Sequence, residues 1–123
     1  MMKQRLRYWT PRILGICSIF FVGLFALDAF DGKHPLNVQL LNFGLHIIPS
    51  ILVAIALYVA WRWEKIGGLI FLGIGSICTP LLFILNYQRN HSVAISVQIV
   101  GLITLPLIII GLLFLSNYYK QKN

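Results

Sequence analysis

VAISVQIVGLITLPLIIIGLLFL, residues 93–115, runs for 23 residues without a charge. Coiled as a helix rising 1.5 Å per residue, such a run spans about 34 Å, enough to cross a hydrocarbon layer about 30 Å thick. Working outward, three more apolar runs precede it, at residues 13–30, 40–61 and 66–85. The connectors are short: residues 31–39, opened by the Asp31-Gly32 turn signal, then Arg62-Trp63-Glu64-Lys65, then residues 86–92. They leave no room for a domain outside the membrane. The expected fold is therefore all-α: one integral membrane four-helix bundle over residues 1–123, made of two antiparallel hairpins.

Composition agrees. The 123 residues are 59% hydrophobic and 11% charged, with a mean hydropathy of +0.84. Soluble domains are roughly 45–50% apolar and about 25% charged, so this chain cannot coat a globule with polar surface. A soluble enzyme, a DNA-binding domain and a disulfide-stapled secreted domain are all excluded as expectations. The net charge of +7 is spread over short clusters beside the apolar runs, not along a nucleic-acid-binding stripe. Cys17 and Cys78 both fall inside apolar runs and read as small buried hydrophobes. No spacing of Cys and His suggests a metal site.

The bases set a direction. Lys3, Arg5, Arg7, Arg12, Arg62, Lys65, Lys120 and Lys122 fall on one side of a four-span chain, against Lys33 and Arg89 on the other. Trp9, Trp61 and Trp63 flank the same basic ends, with Tyr8, Tyr118 and Tyr119. Trp9, Arg12, Trp61, Arg62, Trp63 and Lys65 thus read as topology anchors, with both termini cytoplasmic. A cleavable leader would also begin with bases and an apolar stretch, but Asp28 interrupts the best small-residue site, near Ala26 to Ala29, and the A-x-A pattern is missing. A faint duplication relates Leu45-x-x-x-Pro49 to Leu102-x-x-x-Pro106, as parallel repeats do in some transporters.

Depth can be read from the same rise per residue. Asp28 comes about 22 Å from the cytoplasmic edge, His46 and Gln98 about 8–9 Å from the opposite edge, and Thr79 about 10 Å from it. Ser50 lies one turn below His46. Each span thus sends a polar group to nearly one level, and Asp28, His46, Ser50, Thr79 and Gln98 form a candidate intramembrane polar cluster. Asp28 with His46 has the chemistry of a proton relay or cation site. The plainer reading ends a helix at Asp28 and uses His46 and Gln98 to hydrogen-bond between helices. Pro49, Pro80 and Pro106 are expected to kink their helices.

The stretches RILG (12–15), FALDAF (25–30), HIIPS (46–50) and AWRWEKIGG (60–68) resemble a family of small uncharacterised bacterial four-span membrane proteins, classed as a domain of unknown function. The resemblance runs from about Arg5 to Ser116 and is most specific at residues 61–68. It implies a bacterial inner-membrane location and a single bundle; it carries no activity and no functional residues. No paired carboxylates, Ser/His/Asp set or phosphate loop supports catalysis, and no cofactor is expected. The expected function is a non-enzymatic structural, accessory or regulatory membrane protein, whose partners are the lipid bilayer and other membrane proteins or a second copy. The alternative is a small oligomeric proton-coupled transporter or channel using Asp28 and His46. Small multidrug-resistance transporters share four short spans and an acid in the first, but theirs is a glutamate nearer the midplane and their motif is absent here.

Overall fold

The computed structural model describes residues 1–30 and 32–123. Asp31, half of the expected turn signal, lies outside them; its neighbour Gly32 takes a positive φ of 71°. Four helices follow in order: α1 (Met2–Leu24), prolonged by a 3-10 segment (Phe25–Ala29), then α2 (Leu36–Arg62), α3 (Glu64–Asn90) and α4 (Val93–Lys122). All four are long and apolar enough to cross a membrane. The fold is all-α, with the make-up of a small multi-pass membrane protein.

The helices outrun the apolar stretches, so the connectors shrink. The four-residue link between the second and third runs becomes Trp63 alone. Its N–H donates to the Val59 carbonyl at 2.7 Å, closing α2, and its own carbonyl accepts from Gly67 N–H at 2.9 Å, opening α3. So sharp a reversal presses Gly67 onto Ala60, where a Cβ would collide with the Ala60 backbone. The α3–α4 turn is His91 and Ser92. His91 takes the left-handed conformation at φ 53°, and Ser92 caps α4 by accepting from Ile95 N–H at 3.3 Å.

Contacts fix the register. On α1 and α2, Gly15 faces Leu57, Gly23 faces Ser50 and the ring of Phe30 meets Phe43 at 5.1 Å; one index rises as the other falls, so the pair is antiparallel. On α3 and α4, Gly68 faces Gly111 and Gly75 faces Ile108. Gly68 and Gly75 lie two turns apart on one face of α3, which brings its backbone within van der Waals reach of α4. Both chain ends therefore sit at one end of the bundle, and the connector after Phe30 and the His91 turn at the other.

The apolar core gathers towards the termini. It consists of Val53, Ala56, Leu57 and Ala60 from α2, Phe71 from α3, and Leu107, Ile110 and Phe114 from α4, with Ile19 of α1 packed against it. Beyond Ser50 on α2 and Gly75 on α3, towards the far end, neither helix has a buried residue. Val22, Ala26, Ala29 and Val100 are buried outside this cluster, while many large apolar side chains are exposed, Phe20 and Ile77 among them. Cys17 departs from its expected burial: it lies on the outer surface, and Cys78 is only half-buried.

Candidate functional site

Of the five polar residues expected at one level, Asp28, His46, Thr79 and Gln98 lie towards the far end and Ser50 near the middle of α2, and no hydrogen bond joins them among the described residues. Asp28, His46 and Gln98 are exposed, and Thr79 is half-buried. Thr79 Oγ1 donates to the Gly75 carbonyl of its own helix at 2.6 Å. His46 Nδ1 lies 2.7 Å from the Asn42 carbonyl, again on its own helix. Ser50 alone is buried and reaches another helix, donating to the Ile19 carbonyl at 2.9 Å. Among the described residues no ion pair joins Asp28 to His46, and no group of three His, Cys, Asp or Glu could hold a metal.

The polar centre lies at the other end, on Arg12. Its side chain is among the largest fully buried ones, at 1% exposure for the residue. Nη2 donates to Glu64 Oε1 of α3 at 3.0 Å, and Nη1 donates to the Tyr8 carbonyl at 2.6 Å. The guanidinium carbon lies 3.6 Å from the Tyr8 ring centroid, 5.4 Å from that of Trp61 and 5.3 Å from that of Phe114. Glu64 is held in turn from α4, where Gln121 Nε2 donates to Oε2 at 3.4 Å. All four helices thus meet on one guanidinium. Three aromatic faces can each stabilise a cation that has lost its water, and the carboxylate neutralises it. Nε stays buried without a hydrogen-bond partner among the described residues.

Local sequence explains why Arg12 turns inward. Pro11 lies inside α1 and has no N–H, so the carbonyl four residues back, that of Arg7, loses its helical donor. Asn117, buried on α4, supplies the replacement, donating from Nδ2 to the Arg7 oxygen at 2.6 Å. This bond pins the first turns of α1 onto the last turns of α4 and fixes the height at which Arg12 enters the bundle. The sequence signal for it was a proline shortly before an apolar run and an asparagine just after the last one.

The anchors assemble around this centre. Trp9 packs edge-on against Trp61 at 6.1 Å, and Lys65 Nζ sits 5.7 Å from the Tyr118 ring centroid. Trp61 is therefore both an anchor and a wall of the Arg12 cage. Two grooves open on either side of Tyr8 and Gln121. One, of about 640 Å³, runs between the ends of α1 and α4 and holds Arg5, Arg7 and Lys120. The other, of about 530 Å³, holds Arg62, Trp63, Lys65 and Tyr118 with the Arg12–Glu64 pair. A guanidinium is a donor only, so Arg12 ties the helices together through Glu64, the Tyr8 carbonyl and the rings around it.

The family described as Domain of unknown function (DUF7670) matches residues 1–123. The chain belongs to that family. Neither a curated protein nor a solved structure matches it. The family sets no chemistry for Arg12, Glu64 or Asn117, whose roles rest on the geometry above.

Proposed function

We propose that this protein is a non-enzymatic accessory or regulatory protein of the bacterial inner membrane, with both termini in the cytoplasm, acting through lateral contact with other transmembrane helices. The observation that carries this reading is the exposure of His46 within an apolar helix. Leu36 opens α2, so at 1.5 Å per residue His46 lies about 15 Å along it, and the helix outruns the hydrocarbon by only about 5 Å at each end. An imidazole exposed at that depth is costly in lipid and favourable against a polar group on a neighbouring helix. Gln98 and Asp28, also exposed, extend the same polar level. The occupant is a partner protein or a second copy.

The test is a photo-reactive residue at Leu45, beside His46, in native membranes. A discrete protein adduct is expected, and it should weaken in His46→Leu and vanish in His46→Leu with Gln98→Leu, while the amount of folded protein stays constant. Adducts to lipid alone would overturn the reading. So would proton flux in proteoliposomes that Asp28→Asn abolishes, which would favour transport instead.

A further inference from the structure

We propose that the groove between the first turns of α1 and the last turns of α4 binds the phosphate headgroup of an anionic phospholipid. Three basic side chains line it, those of Arg5, Arg7 and Lys120, and no acidic residue does. All three side chains are exposed, and among the described residues none of them enters an ion pair or a hydrogen bond. Their charge is left for something outside the chain. The neighbouring groove differs in containing Glu64, which neutralises its Arg12, and in resting Lys65 on the Tyr118 ring; its Arg62 is exposed like the three here.

The groove is built rather than incidental. Its two walls belong to helices from opposite ends of the chain, and Asn117, itself on the lining, ties them together through the Arg7 carbonyl freed by Pro11. Arg5 and Arg7 on one wall therefore keep a fixed spacing from Lys120 on the other, so a phosphate can be held from both sides. At about 640 Å³ it has room for a glycerophosphate group. Its height selects lipid over soluble phosphate. Tyr8 and Trp9 on the lining stand just before the apolar run that starts at Ile13, at the level where such rings border headgroups. Acyl chains leaving the groove would run down the apolar outer surface of α1 past Leu14.

The experiment is native mass spectrometry of the whole protein in micelles with equimolar dioleoylphosphatidylglycerol and dioleoylphosphatidylcholine. Each Lys or Arg near an anionic surface favours binding about five- to tenfold, so retention of phosphatidylglycerol should exceed that of phosphatidylcholine by roughly tenfold or more. Arg5→Gln with Arg7→Gln and Lys120→Gln should erase that preference, and Arg62→Gln with Lys65→Gln should leave it. Lys120→Glu alone, a single change at an exposed site, should weaken it strongly and serves where the triple variant folds poorly. Equal retention of the two lipids overturns the proposal. Equal loss in both multiple variants also overturns it, by making the preference a property of total charge. Complete displacement by inorganic phosphate would assign the groove to a soluble anion and overturn its assignment to lipid.

Discussion

Arg12 meets two opposing demands. Desolvating a guanidinium costs several kcal/mol by roughly the usual reckoning, and what offsets that cost here is Glu64 together with three ring faces drawn from α1, α2 and α4. Removing one partner should therefore be worse than removing both. Arg12→Met is expected to destabilise the bundle by about 3 kcal/mol, the low end for a broken buried pair, because Glu64 keeps 13% side-chain exposure. Adding Glu64→Leu to it should recover most of the loss, measured as a double-mutant cycle by denaturant unfolding in micelles. Arg12→Lys should fail to substitute, since an ammonium cannot donate to Glu64 and Tyr8 while lying flat on a ring. Asn117→Leu should cost about 1 kcal/mol, a typical net hydrogen bond, because it leaves the Arg7 carbonyl without its donor. Arg12 reads as a boundary base in the sequence because charge counting places it correctly at a helix end; nothing in that count tells an arginine facing water from one folded back under a tryptophan.

Helix contacts turn on a few glycines, and the structure sorts them. At Gly111 a Cβ would stand 2.8 Å from the Gly68 carbonyl oxygen and 2.9 Å from the Leu72 nitrogen, backbone atoms that cannot swing aside. At Gly73 and Gly101 a Cβ would meet nothing within 4 Å. Gly111→Ala should thus cost about 1–3 kcal/mol through overpacking, whereas Gly101→Ala should be neutral or gain roughly 0.5–1 kcal/mol from reduced backbone freedom; thermal unfolding of the two variants side by side reads the difference. The helices themselves were legible from runs of apolar residues, as was their antiparallel order from the short connectors. What those runs withhold is rotation about each axis. A helix that is apolar all round has no polar stripe to show which face turns inward, and α2 and α4 are of that kind. Counting residues gave His46, Gln98 and Thr79 a common depth, but each step along the chain also turns the side chain by 100°, so depth alone could not bring them together.

Over the whole molecule the packing is lopsided. The α1–α2 and α3–α4 hairpins each hold together along their length, through Phe30 and Phe43 at the far end of one and through the Asn90–Ser96 bond at the far end of the other. They join each other around Arg12, Asn117 and the Ala60–Gly67 contact. Nitroxide pairs on a cysteine-free background in nanodiscs should reflect this: labels at Leu45 and Leu85 should give a broader distance distribution than labels at Tyr58 and Leu69. Equal widths would mean that the hairpins are joined along their full length. The proposed orientation is checked on the same scale. A membrane-impermeant maleimide applied to intact cells should label Leu36→Cys and spare Met2→Cys.

The bonds that close the bundle join the first and last parts of the chain: Arg12 meets Glu64 52 residues on, and Arg7 meets Asn117 after 110. A ribosome delivers these partners in order. When α1 and α2 have emerged, Arg12 has Tyr8 and Trp61 but no carboxylate; when α3 follows, the charge is neutralised but the ring of Phe114 is still to come and the Arg7 oxygen is still bare. Only when α4 emerges is the set complete. A product released early, or cut back by a protease before Asn117, therefore carries its own flag: an arginine drawn towards the membrane without its full company, open to the quality-control machinery that removes unfinished membrane proteins.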